Sequence, residues 1–183
     1  MNRAPFPLTL LLIPLVLACF ALSATAWATC QNGCLLHSNT ALGEDALSRN
    51  QRESNTAIGF QALFGNQTGS FNTAVGVSPM FDNRTGSHNI AIGAQALFFN
   101  LTGSYNTAIG DYTLFSNTSG NYNVALGDET GSLLTTGDYN VDIGANVWGV
   151  AGESNTIRIG KTPNQARTFI AGISGVTVAG VSG

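Results

Sequence analysis

The residues of this chain that could carry out acid–base or metal chemistry are scattered. Asp111 and Asp128 are the only acidic pair that is 17 residues apart, the spacing at which an internal phrase recurs. Neighbouring coils of such a repeat could bring them to about 5 Å. Like charges at that distance repel each other, and no third acid completes the group that a polysaccharide-cleaving site needs. The histidines, His37 and His88, also lack partners, and His88 takes a place that is otherwise aromatic. The sequence therefore predicts a non-enzymatic protein with no catalytic residue, no metal and no cofactor.

Two cysteines, Cys30 and Cys34, follow the N-terminal apolar segment. Because exported proteins commonly form disulfides, we interpret the pair as a disulfide, either within the chain or between neighbouring chains. Metal ligation together with His37 is the alternative. These three residues supply fewer ligands than a zinc site requires, so the disulfide is favoured.

The first 28 residues have the pattern of a secretory signal peptide. Arg3 precedes an apolar run from Leu8 to Leu22, and Ala26-Trp27-Ala28 fits a small-x-small cleavage site. A membrane anchor is disfavoured because the run is short and contains Pro14. A lipoprotein signal that ends at Cys19 is a further alternative. We expect an exported protein, extracellular or on a bacterial cell surface.

A five-residue phrase, Asn-x-x-x-Gly, recurs at one step of 16 residues and then five of 17, and a slipped copy runs from Asn155 to Gly160. This period is too short for a pair of helices and predicts a solenoid with one coil per repeat. We expect residues 39–160 to form the solenoid, residues 29–38 an N-terminal cap, and residues 161–183 a linker and glycine-rich β collar. The expected turn glycines are Gly43, Gly59, Gly76, Gly93, Gly110, Gly127 and Gly144.

The fourth position of the phrase is always aliphatic, whereas the second alternates between threonine and β-branched apolar residues. Side chains two apart in a strand share a face, so both positions are predicted to fill the core. The third position, usually alanine, would then face outward. The predicted core row is Leu42, Ile58, Val75, Ile92, Ile109, Leu126 and Ile143.

A second apolar row of Leu-Phe pairs, such as Leu97-Phe98, predicts another strand in each coil with one of the two side chains outside. A bend that turns both inward is the alternative. The corner phrase Asn-x-Thr-Gly-Ser predicts glycines with positive φ and stacked, hydrogen-bonded asparagines. Its asparagines also match glycosylation sequons, which we interpret as a by-product of the repeated corner. These asparagines are Asn66, Asn83, Asn100 and Asn117.

The phrase Asn106-Thr-Ala-Ile-Gly110 resembles the head repeats of trimeric autotransporter adhesins of the YadA type. The longer form, with Gln-Ala-Leu-Phe and Asn-x-Thr-Gly-Ser, is similar to repeats in exported bacterial proteins and phage-type fibres that end in a self-cleaving chaperone. The resemblance covers Asn39 to Gly160. It implies an all-β fold, a left-handed parallel β-roll or β-solenoid of about eight coils, assembled as a homotrimer. It also implies that the alanine row and one Leu/Phe row face the other subunits.

These observations predict an exported, adhesin-head-like protein whose rigid, repetitive surface attaches multivalently to a host, matrix or neighbouring-cell protein or glycan. The alternatives are a fibre segment of a larger chaperone-bearing protein and an ice-binding solenoid. Ice binding needs an outward threonine grid, and the threonines are predicted to lie inside. The formal net charge of −3 and the lack of a basic patch or amphipathic helix predict neither nucleic-acid binding nor membrane insertion of the mature chain.

Overall fold

The computed structural model describes residues 38–50, 52–161 and 163. The predicted signal peptide, both cysteines and most of the cap and collar lie outside these residues. Within them the elements are eight short strands and no helix, so none of the described segments is a helix that could cross a membrane. The strands are β1 (Thr40–Leu42), β2 (Thr56–Ile58), β3 (Thr73–Val75), β4 (Ile90–Ile92), β5 (Thr107–Ile109), β6 (Val124–Leu126), β7 (Val141–Ile143) and β8 (Ile157–Ile159).

Each strand pairs in parallel with the next, so the sheet follows chain order from β1 to β8. The register joins equivalent positions of neighbouring coils, with Thr56 opposite Thr73 and Ile58 opposite Val75. The expected β-solenoid is confirmed, with about seven turns. In the slipped last copy Val141 pairs with Ile157, so the glycines stay aligned and Thr156 takes the place of the asparagine.

The prediction that the fourth-position row forms the core is wrong. The alanines between the two outward rows are fully buried from β2 to β6, whereas Ile92 is 39% exposed and Leu42 is 57% exposed. From β2 to β6 the interior behind the strand is filled by asparagine amides and leucines, and the side chain at this position is an alanine methyl group. The outward row is Leu42, Ile58, Val75, Ile92, Ile109, Leu126 and Ile143, each exposed or half-buried.

The Leu-Phe pairs do not form a second strand, and the bend that would turn both side chains inward is also absent. Leu63 and Leu97 have positive φ, and each donates its backbone N–H to a carbonyl of the next coil. Leucine or methionine at this position is fully buried against the alanines. The phenylalanines lie outside in a stack of half-buried rings, so the prediction that one row lies outside is confirmed.

Two columns of buried asparagines run through the solenoid, which confirms the predicted ladder. In the first, Asn89 donates from its side-chain amide to Oδ1 of Asn72 at 3.1 Å and to the Gly103 carbonyl at 2.9 Å. In the second, Asn100 donates to Oδ1 of Asn83 at 2.8 Å. A buried amide without a partner costs about 1–3 kcal/mol, so each coil depends on the asparagine of its neighbour. The four sequon asparagines belong to this second column and are fully buried.

All seven predicted turn glycines have φ between 120° and 136°. The corner glycines behave differently from expectation. Gly69 is not among the residues with positive φ, and the left-handed residue of that corner is Phe71, with φ 58°. A Cβ at Gly69 would collide with the Gly86 carbonyl and the Asn66 side chain. Glycine is therefore required at this corner for space.

Substitutions at adjacent positions of β4 separate the two faces. Ala91→Leu should lower the free energy of unfolding by about 1–3 kcal/mol, because it overpacks a closed interior. The matched outer change, Ile92→Val, should stay within about 0.5 kcal/mol of the wild type. Denaturant unfolding measures both. A larger loss for Ile92→Val than for Ala91→Leu would contradict the assignment of the faces.

Candidate functional site: the outer face of the sheet

The outer face of the sheet carries two rows of side chains and no charged residue. Four of the sixteen residues are threonines and twelve are aliphatic. The threonines are Thr40, Thr56, Thr73 and Thr107, and the aliphatic residues are Leu42, Ile58, Val75, Ile90, Ile92, Ile109, Val124, Leu126, Val141, Ile143, Ile157 and Ile159. We call this surface the sheet face.

The sheet face is a long, narrow apolar stripe. Strands about 4.8 Å apart give seven steps and a length of about 34 Å, with about 7 Å between the two rows. Ile90 and Ile109 are 40% and 41% exposed in the middle, and Ile157 is 71% exposed at one end. Contiguous exposed apolar surface is typical of contact surfaces, so the sheet face is the candidate functional site.

In the five coils from β3 to β7, a ring lies two residues before the first residue of the strand, and these rings form an aromatic column. Neighbouring rings lie 4.8–4.9 Å apart at their centroids and within 12° of parallel. His88 stacks between two members, which confirms its interpretation as a substitute for an aromatic ring. All five rings are exposed, so they widen the apolar surface beside the sheet face. The column consists of Phe71, His88, Tyr105, Tyr122 and Tyr139.

The residues singled out for chemistry do not assemble into a reactive group. Asp111 accepts a hydrogen bond from the Ala94 backbone N–H at 2.7 Å, which ties neighbouring coils together. Residues 38–50, 52–161 and 163 contain no group of three or more His, Cys, Asp or Glu side chains arranged to hold a metal ion. Cys30, Cys34 and His37 lie outside this range.

The alanine row ends in a buried ion pair. Asp142 occupies the inward position of β7 and is fully buried, with Nη1 of Arg158 at 3.6 Å from Oδ1. Arg158 also forms hydrogen bonds with both carboxylate oxygens of Glu153. Burial raises the pKa of the Asp142 carboxyl; Arg158 opposes that rise, and Glu153 adds to it. Neither carboxylate oxygen of Asp142 has a hydrogen-bond partner, so the charge is poorly compensated.

Comparison of the chain with protein-family models, curated proteins and solved structures found no match. What the structure defines is therefore the class of fold, a parallel β-solenoid repeat protein. The sheet face and the surfaces around it are the candidate functional site of this fold.

The alternation of residues predicts that the second and fourth positions of the phrase fill the core, whereas both lie on the exposed sheet face. The signal that could have corrected this prediction is the third position of the phrase, which is alanine in six consecutive coils, whereas the second and fourth positions vary in size. A position that accepts only the smallest side chain indicates tight packing on that side. The varied β-branched rows are consistent with an open strand surface.

Asp142→Ala, which extends the alanine row by one coil, should raise the free energy of unfolding by about 1–3 kcal/mol at neutral pH. The folded-state pKa of Asp142 lies above its ordinary value of 3.8, so the folded protein holds that proton more tightly than the unfolded chain. Wild-type stability attributable to Asp142 therefore falls as the pH rises from 3.8 through the folded pKa. Thermal melts across this range should show the advantage of Asp142→Ala vanishing in acid.

The matched control is Asp128→Ala, which removes an exposed acid from the preceding coil. Its effect should stay within about 0.5 kcal/mol at each pH. If Asp142→Ala destabilised the protein at neutral pH, the prediction would be wrong. The ion pair between Arg158 and Asp142 would then stabilise the fold by more than the burial of the Asp142 carboxylate destabilises it.

Proposed function

We propose that this protein is an exported, non-enzymatic structural and binding module that associates with copies of itself, as a homotrimer, through the sheet face. The resulting stiff rod presents repeated surfaces for adhesion to a partner outside the cell. The single observation that carries the proposal is the charge-free, exposed sheet face. Localisation rests on the signal-like residues 1–28, and the trimeric state rests on the resemblance of the repeat phrase to adhesin heads.

The regularity of the sheet face favours self-association over an unrelated partner. Its side chains recur once per coil, and a second copy of the chain has the same spacing. Parallel copies can therefore match coil for coil along about 34 Å. In a cyclic assembly each added contact repeats around the axis, so small contributions accumulate.

The identity of the contact row differs from the expectation based on the resemblance. The alanine row was expected to face other subunits, but it is buried within the coil. In the proposal, the side chains at the second and fourth positions of the phrase face the other subunits. Adhesion would then use the remaining exposed corners and columns, with affinity arising from multivalency.

Ile92→Asp tests self-association directly. In a trimer the substitution would bring three carboxylates into an apolar contact, so light scattering should show a shift from trimer to monomer mass. The monomer should keep its β-rich circular dichroism spectrum, because Ile92 does not point into the core. The control is Thr102→Asp, an exposed corner change that should leave the mass unchanged. A monomeric wild-type protein at high concentration would refute the trimer.

Ice binding is the second candidate function, because the threonines at the second position of the phrase lie on the sheet face. Thr56 and Thr73 stand in register on neighbouring strands, which removes the ground on which an ice-binding surface was disfavoured. The second-position row is threonine in four strands and aliphatic in the other four, so it is not a continuous threonine grid. Self-association therefore remains the leading proposal. The two functions compete for one surface. We expect no inhibition of ice recrystallisation by the wild type; inhibition that Thr73→Lys abolishes would favour ice binding instead.

A further inference from the structure

Four phenylalanines stack along the outside of the solenoid. In the coil before the stack and in the coil after it, the equivalent position is serine. The ring centroids of Phe64, Phe81, Phe98 and Phe115 are 5.0, 5.1 and 5.5 Å apart in turn. The equivalent position is Ser48 in the coil before and Ser132 in the coil after. The stack of parallel phenylalanine rings therefore ends at Phe64 on one side and at Phe115 on the other. Phe99 contacts Phe115 edge-on, with ring centroids 5.1 Å apart and planes at 75°, and also contacts Phe98, so it lies beside the stack and does not extend it.

At the N-terminal end the free ring face is covered by a cation of the same chain. The guanidinium carbon of Arg49, the residue after Ser48, lies 4.9 Å from the centroid of the Phe64 ring. This geometry is a cation–π contact. At its N-terminal end the stack is therefore covered by a guanidinium group of the same chain.

At the C-terminal end the residue after serine is Leu133, which carries no charge. A pocket of about 240 Å³ lies there between Phe115 and Ser132. Tyr112 forms one wall, with its ring centroid 5.7 Å from that of Phe115 and tilted by 53°. Glu129 also lines the pocket and is exposed.

The pocket lies outside a filled interior. Gly131 replaces the inward leucine of the repeat, and Leu134, three residues later, replaces the inward asparagine. Leu134 is 1% exposed and takes up the space next to Gly131. The exchange keeps the core packed, so the change from phenylalanine to serine opens only the outer surface.

From this arrangement we infer that the pocket binds the guanidinium group of an arginine side chain from a partner polypeptide. The planar guanidinium stacks on the free face of Phe115, as Arg49 does on Phe64, and the Glu129 carboxylate pairs with its charge. Asp111 and Asp128 are exposed nearby in the sequence, and no basic side chain lines the pocket. Leu133, 52% exposed, offers apolar contact to the chain that carries the arginine.

The inference adds a partner chemistry to the proposed rod and relies on that proposal only in taking the partner to be a polypeptide. It does not rely on trimer formation. The pocket belongs to a single chain and can be assayed in any oligomeric state, so a failure here is distinguishable from a failure of the trimer.

The test is a titration of the folded protein with N-acetylarginine amide, followed by NMR shifts of the Tyr112 and Phe115 ring protons. We expect saturable binding in about the millimolar range, because one cation–π contact and one exposed ion pair contribute modestly. N-acetylcitrulline amide, a neutral isostere, should not bind. Glu129→Gln should weaken binding about two- to fivefold.

Two variants close the pocket in different ways. Leu133→Arg, at an exposed position, should supply its own guanidinium and abolish binding of the added one. Ser132→Phe should extend the stack and abolish binding too, while Ser132→Ala, the matched control, should retain it. Citrulline binding equal to that of arginine, or unchanged binding by Leu133→Arg, would overturn the inference. Binding of ethylguanidinium but not of N-acetylarginine amide would also overturn it, by excluding a polypeptide source.

Discussion

The structure depends on buried amides that can be satisfied only by the neighbouring coil. An asparagine inside a narrow coil has two donors and an acceptor away from water, and each strand is only three residues long. Asn106 donates its backbone N–H and its side-chain amide to Oδ1 of Asn89, and its side-chain amide also donates to the Gly120 carbonyl. Its own Oδ1 accepts a hydrogen bond from the Asn123 backbone N–H. No coil can meet this requirement alone, so the coils stack in strict register and stability becomes a property of neighbouring pairs.

Where the repeated residues end, buried polar atoms are left without a hydrogen-bond partner. Asn117 donates to Asn100, but its own Oδ1 is buried without a partner because the next coil has Leu134 in place of asparagine. The inward position that follows the last alanine, Ala125, holds Asp142, and neither oxygen of its carboxylate has a hydrogen-bond partner. Both departures lie toward the C-terminal end of the described solenoid, where fewer coils remain to be held in register.

Much of the fold could be predicted from the residues because it follows from period and residue type. The recurrence of Asn106 and Gly110 fixed the coil length, the turn and the ladder. The orientation of the strand could not be predicted in the same way. Alternation separates two faces but does not say which is enclosed, and Ile92 suits a core as well as a contact surface. The interior volume decides, and that volume depends on how Leu97 and the asparagines pack in three dimensions.

The last two strands separate the demands on the two faces. Inside, the alanine row gives way to Asp142 and then Arg158, so the rule for the interior lapses. Outside, both rows remain aliphatic through β7 and β8, and Ile157 and Ile159 are 71% and 56% exposed. Strand propensity accounts for β-branched residues on a face that meets water, but such a face also tolerates charged residues, and none occurs in either row. The absence of charged residues from both outer rows therefore supports the proposal that the sheet face contacts other copies of the chain.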